Sequence, residues 1–338
     1  SLIMDTYTGT GKANIGMFVT HGGFPQQWNW HYVAVPANYI GDKSVFTSLD
    51  PYDLMQYDDS QIPNTTLATD NNGWVWHDGW DGTAYNGPRF SDLIVGRGYA
   101  FYHPNYPDIV NFTNLSSLQT FLGPLSLQYN GTGKLVPSNY GFNLLGNSLT
   151  CGIDWDLVTK TGNVGNSVYY TINYKIGSYV RGTGGVGING ATKDIPPLQG
   201  FLVKALESGT SLNFSAAREH TTQPRYKKSL NTSKSDSKTS ISATPLIKLE
   251  LNNSGNQDET LIWFNENATN GFDADFDGRN ILSSCAFDQI YTLNGKDKFG
   301  INGIPFPAKS VKIPVAVKLL KTGSDFKIIA SQFQGLDN

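Results

Sequence analysis

Gly98-Tyr99-Ala100-Phe101-Tyr102 followed by Val110-Asn111-Phe112-Thr113 returns later in the chain as Gly200-Phe201-Leu202-Val203-Lys204 followed by Leu212-Asn213-Phe214-Ser215. The glycine-to-asparagine spacing is the same in both places. The likeness extends upstream in the same order. Trp30-His31-Tyr32-Val33-Ala34-Val35-Pro36 and Leu54-Met55-Gln56-Tyr57-Asp58 stand in the first copy, Phe142-Asn143-Leu144-Leu145-Gly146-Asn147-Ser148 and Val168-Tyr169-Tyr170 in the second. Self-similarity at a long period is the signature of repeated structural modules. Each matching run is short, rich in aromatic and β-branched residues and bounded by turn formers, which is how strands read. The chain is therefore expected to be all-β, built of tandem β-sandwich modules, the first two related by internal duplication.

Composition agrees with that class. Only 16% of the 338 residues are charged, 12% are aromatic and 36 are Gly, a balance suited to pleated surfaces and tight turns. Turn signals recur throughout, among them Asn130-Gly131, Asn189-Gly190, Asn294-Gly295 and Asn302-Gly303. Leu246-Ile247-Lys248-Leu249-Glu250-Leu251 and Phe326-Lys327-Ile328-Ile329 read as further strands, whereas no long amphipathic helix can be written. A net charge of -3 carries no electrostatic footprint for nucleic acid, so no nucleic-acid partner is expected. No apolar run is long enough for a transmembrane helix.

Residues 226–243 shift to Ser, Thr, Lys and Asn, a composition too polar to bury a core, and read as a linker. The expected modules are 1–130 and 131–225, the two repeat copies, and 244–338 beyond the linker. The opening residues lack a signal-peptide pattern and start within an apparent strand, so upstream domains are expected in the full-length protein. Cys151 and Cys285 lack metal-type spacing and are read as two free buried thiols, with a disulfide between them as the alternative.

Gly141-Phe142-Asn143-Leu144-Leu145-Gly146-Asn147 with Ile153-Asp154-Trp155-Asp156 resembles a GWNLVGNPYP-type stretch of large secreted Bacteroidetes proteins. Pro197-Leu198-Gln199-Gly200-Phe201-Leu202-Val203-Lys204-Ala205 is similar to their PMQGFFVKA segment. Asp258-Glu259-Thr260 with Ala268-Thr269-Asn270-Gly271-Phe272-Asp273 is similar to their DE...AT.GFD segment. In that family such modules lie near the C-terminus of surface or secreted proteins, commonly before a type IX secretion sorting domain. The resemblance implies an extracellular or outer-surface location and an accessory role, and assigns no residue a chemical task. Asn147-Ser148-Leu149-Thr150 departs from the family's Asn-Pro-Tyr-Pro, and no sorting domain is recognisable.

Two constellations can carry binding. Asp273-Ala274-Asp275-Phe276-Asp277-Gly278 alternates carboxylates and ends on Gly, as a Ca²⁺ loop does, but the twelfth position is Ser284 in place of a bidentate Glu. The competing reading is an acidic turn whose Asp side chains bond nearby backbone. Trp74-Val75-Trp76-His77-Asp78-Gly79-Trp80, with Tyr85 and Arg89, offers aromatic faces to stack on sugar rings and polar groups to bond hydroxyls. Trp74 and Trp76 share one strand face, an arrangement that equally suits a core. Gly182-Thr183-Gly184-Gly185-Val186-Gly187 satisfies GxGxxG but precedes no helix, so it reads as a hairpin loop. Asp154-Trp155-Asp156 puts two acids on one face if it is a strand, and is read as a polar edge beside a packed Trp. Nucleophile-elbow and paired-histidine motifs are missing.

The resulting expectation is a non-enzymatic, secreted or cell-surface β-sandwich region with a structural or adhesive role. Its partners would be glycans or other cell-surface proteins. The alternative is a carbohydrate-binding module on the Trp74, Trp76 and Trp80 platform, and a glycan-active enzyme ranks below both.

Overall fold

Period-two alternation and frequent turn chemistry give strands as the main regular element among the described residues of the computed structural model. It describes residues 11–19, 30–37, 39, 41, 43–46, 54–61, 73–79, 87–102, 108–115, 123–130, 140–172, 175–182, 184–219, 244–253, 256–281, 287–320 and 325–336. Among these residues the regular elements are strands and three short 3-10 helices, Lys43–Phe46, Asp59–Gln61 and Trp155–Leu157. No helix there is long and apolar enough to cross a membrane. The fold class is all-β, with several sheets. The expected linker, 226–243, lies outside the described residues.

The chain divides into two units, 1–165 with 194–226, and 166–193 with 227–338. The stretch 166–193, expected within the module 131–225, thus groups with the C-terminal residues. Its strands supply Val180, Val186 and Ile188 to a core shared with Leu246, Leu261, Trp263 and Ile301. Burial of that apolar surface outweighs sequence proximity.

In the first unit, strands run in the order His31–Ala34, Gly98–Phe101, Leu54–Tyr57 and Trp74–Trp76, all antiparallel. Val33, Leu54, Tyr99 and Phe101 pack against Met17, Val110 and Phe112 of the antiparallel pair Ala13–Val19 and Asp108–Leu115. A second antiparallel pair joins Phe142–Gly146 to Gly200–Lys204, and Phe201 carries the stack on to Trp155 and Phe214.

This pair and the pair of His31–Ala34 with Gly98–Phe101 meet through glycines in a reciprocal way. Val33 bridges Gln199 while Leu145 bridges Arg97. Ala34 N donates to Leu198 O at 2.9 Å, and Gly146 N donates to Gly96 O at 2.8 Å. Ala34 faces Gly98 across its own strand pair and Gly146 faces Gly200 across the other. A Cβ on Gly98 would strike Leu145 O, and one on Gly200 would lie 2.7 Å from Val33 N and 2.8 Å from Tyr32 C. Backbones this close tolerate only glycine. The aromatic runs that start at Gly98 and Gly200 are therefore anchored where those backbones touch.

In the second unit a seven-stranded sheet follows the order Val315–Lys318, Gln289–Asn294, Asp297–Ile304, Asn256–Phe264, Leu246–Asn253 and Lys327–Gln334, with Gly278–Arg279 paired to Asp297–Ile304. Asn256–Phe264 runs parallel to Asp297–Ile304, and its second half, Leu261 to Phe264, is apolar on both faces. Leu261 and Trp263 join one core, Ile262 and Phe264 another. That explains an unbroken Leu261-Ile262-Trp263-Phe264 run, which strands covered on both sides require. Gly182 to Gly187 sits at the turn between Lys175–Val180 and Val186–Ile188, a hairpin as expected.

Candidate functional site

Strand pairing gathers the expected platform onto one sheet face. Tyr32, Ala100, Met55 and Trp76 are successive cross-strand partners, and Trp74 stands opposite Tyr57. Trp74 packs edge-on to Tyr57 at 5.3 Å and tilted to Tyr32 at 6.1 Å. Trp30 meets Trp76 at 5.8 Å and Tyr102 at 5.9 Å. Trp74 and Trp76 are half-buried, with Val75 buried between them on the opposite face. The tryptophans thus combine packing with partial exposure.

His77 is buried and its Nδ1 lies 2.8 Å from Lys43 Nζ. Burial, then the Lys43 ammonium, hold its pKa below the usual value, so it stays neutral at pH 7 and accepts from the lysine. Arg89 is exposed and lies over Gly79, whose φ of 84° leaves room for no side chain there. Trp80 and Tyr85 lie outside the described residues, as does Cys285; Cys151 is a free, buried thiol.

The acidic loop is built differently from a cation site. Asp273 Oδ1 accepts from Asp275 N at 3.0 Å, and Asp277 Oδ2 accepts from Asp273 N at 2.6 Å. Asp277 Oδ1 accepts from Gly303 N at 2.8 Å. Phe276 and Asp277 both donate their N–H to Asp273 O, closing a tight turn. Trp263 Nε1 donates to Phe276 O at 2.8 Å, so the turn is pinned over Gly303. Asp277 is buried and spent on backbone, and Asp275 is exposed. Among the described residues no group of three or more His, Cys, Asp or Glu is placed to hold a metal ion. Of the expected Ca²⁺ set of Asp273, Asp275 and Asp277, the carboxylates of Asp273 and Asp277 accept backbone N–H groups of the turn and of Gly303.

Asp154 and Asp156 do not share a strand face. Asp154 caps the 3-10 helix Trp155–Leu157 by accepting from Asp156 N at 2.9 Å, a local bond that outcompetes extension. Asp59, a carboxylate the sequence left without a role, is fully buried and accepts from Gly141 N at 2.8 Å and Asn130 N at 2.6 Å.

Two amides inside the repeated motifs proved to be latches. Asn147 Nδ2 donates toward the carbonyls of Cys151, Ile195 and Pro196, and its Oδ1 accepts from Leu149 N. Gln199 Nε2 donates to Tyr32 O at 2.8 Å and Gly200 O at 2.9 Å. A buried amide inside an apolar run is the sequence signal, since it persists only where backbone groups need partners.

In the second unit Asn189, at φ 52°, donates Nδ2 to Asp258 Oδ1 and N to Glu259 Oε2, both at 2.8 Å. Asp258 Oδ2 accepts from Ile290 N. Lys175 Nζ donates to Gln257 O, and burial lowers its pKa against the pull of Asp258 and Glu259. Burial lifts Asp258 to about 6 and Asp277 to about 7, against hydrogen bonds that favour their charged forms. Both acids hold protons more tightly folded than unfolded, where the ordinary value is 3.8. The folded state therefore binds more protons between about pH 4 and 7, and stability falls as pH rises through that window and levels off above it. The melting temperature is expected to be higher near pH 5 than near pH 8, with Asp277→Asn shrinking the difference. Thermal melts that rise steadily with pH would refute this.

The fold and these latches define an all-β chain whose motif residues hold backbone together. The model of a family described as a domain of unknown function, DUF8693, matches residues 142–337. The chain belongs to that family, whose match spans the Phe142–Gly146 and Gly200–Lys204 pair and the whole C-terminal sheet. Comparison with curated proteins and with solved structures finds no match.

Proposed function

We propose that the chain is a non-enzymatic, secreted or cell-surface β-sandwich region whose role is structural and adhesive, akin to the C-terminal modules of secreted Bacteroidetes proteins. One observation carries the adhesive part: the edge strand Lys327–Gln334. Among the described residues it pairs with Leu246–Asn253 alone, at the end of the sheet order. Phe333 is 66% exposed, Ile328 45% and Ile329 44%. Edge strands are normally guarded by charge, because an apolar edge templates pairing with another chain. Only Lys327 is charged in this strand, which supports recruitment of a protein partner by strand addition.

The reciprocal bridges between the two strand pairs, and the positive φ shared by Gly96 and Leu198, favour descent of 28–113 and 140–215 from one duplicated unit. Partial exposure of Trp74 and Trp76 favours glycan binding as a second reading.

One array carrying both surface proteins and glycans tests these readings. Ile329→Lys with Phe333→Lys is expected to weaken protein adhesion roughly tenfold or more, since two charges would be buried on pairing. Trp76→Ala is expected to remove glycan signals only. Adhesion unchanged in the double lysine variant would sink the edge-strand reading.

A further inference from the structure

Three buried polar atoms of the second unit have no hydrogen-bond partner among the described residues: Ser178 Oγ, Arg279 Nε and Gln289 Oε1. Their side chains line one cavity of about 40 Å³. Ser178 is 3% exposed and Gln289 8%. Buried polar atoms are nearly always paired, because an unpaired one weakens the fold. Three around one cavity point to partners supplied from outside the chain.

The cavity is built from regular elements. Ser178 stands between Tyr169 and Ile188 in the strand register, Arg279 lies on Gly278–Arg279, and Gln289 opens Gln289–Asn294. Two glycines keep the space beside Ser178 open. A Cβ on Gly278 would come within 3.3 Å of Ser178 Oγ, and one on Gly300 would lie 3.9 Å from it. Gln257, also on the lining, is exposed and gives the cavity a route to solvent.

Charge selects the class of ligand. Asp258, Asp288 and Glu259 on the lining each already accept from two groups of the chain, so a cation would compete with donors in place. Arg279 Nη1 is paired with Asp297 at 2.6 Å, and Lys175 feels the opposite charges of Asp258 and Glu259, so the positive charge an anion would seek is offset. The buried atoms without a partner are one donor, one acceptor and one hydroxyl able to act as either. A hydroxyl-bearing neutral molecule matches that set. The volume corresponds to about three water-sized spheres, room for two adjacent hydroxyls rather than a whole ring.

We propose that this cavity binds the vicinal-diol edge of a neutral polyhydroxyl ligand, a monosaccharide or polyol, through Ser178, Arg279 and Gln289. The site lies outside the Trp74 and Trp76 strand and does not depend on the adhesive reading.

Amide NMR of the full chain tests it, with glucose, galactose, mannose and myo-inositol as neutral probes, and phosphate, acetate and putrescine as charged ones, at millimolar concentrations. At least one neutral probe is expected to shift the Ser178 and Gly300 amides saturably. Ser178→Ala should weaken that probe roughly tenfold through the lost hydrogen bond. The same variant should melt no lower than the wild type, because it deletes an unpaired hydroxyl. Gln289→Met, close to Gln in shape but without the acceptor, repeats the test should Ser178→Ala misfold, and Gly300→Ala, on the lining itself, should weaken binding by narrowing the space. Response to charged probes alone, no response to any probe, or binding unaltered in both Ser178→Ala and Gln289→Met would overturn the proposal.

Discussion

Gly200→Ala is expected to destabilise the chain by upwards of about 3 kcal/mol, among the largest effects of any single methyl added to it. The added carbon would sit 2.7 Å from Val33 N and 2.8 Å from both Tyr32 C and Val33 O. These are backbone atoms of the His31–Ala34 strand, so no side chain can swing aside. Relief requires the Gly200–Lys204 strand to move off, which breaks the Val33 to Gln199 bridge and the Ala34 N to Leu198 O bond. For a chain of this size the melting temperature should fall by about 4 °C or more. Gly123→Ala is the control, since nothing lies within 4 Å of its Cβ position. Equal melting of the two variants would show that the two strand pairs do not depend on this approach.

Asn147→Ala is expected to cost about 4 kcal/mol for a different reason. The residue is fully buried and bonds four backbone groups. Truncation leaves the carbonyls of Cys151, Ile195 and Pro196 and the N–H of Leu149 without this partner, in a place water does not reach. The price is desolvation without compensation. Asn147→Asp should be at least as damaging near neutral pH, because a carboxylate would face three carbonyl oxygens. It should partly recover in acid, where a protonated Asp regains one donor. Chemical denaturation with a midpoint close to wild type for Asn147→Ala would remove the latch from the account.

Both residues stand in segments that the sequence marks plainly, Gly146-Asn147 and Gln199-Gly200, yet their roles could not be read there. A glycine in a strand run signals close backbone approach in general, whereas the identity of the approaching strand is a long-range fact. Likewise the acidic Asp273–Asp277 run reads equally as a calcium loop or a turn. The choice fell to Gly303, distant in sequence, whose N–H takes Asp277 Oδ1. Trp74 and Trp76 were correctly placed together on one face, because alternation is a local property of strands. How much of each ring stays exposed was set by Trp30, Tyr32 and Tyr57, which come from other strands.

By itself the sequence determined the all-β class, the positions of many strands and turns, and the hairpin at Gly182 to Gly187. These follow from side-chain period, β propensity and turn chemistry, which act within a few residues. Tertiary structure alone decided that 166–193 packs with the C-terminal sheet, that Asp277 and Asn147 are buried acceptors and donors, and that three unpaired polar atoms share one cavity. Burial depends on which surfaces meet, and distant segments meet according to the apolar area they remove from water, a quantity no local pattern contains.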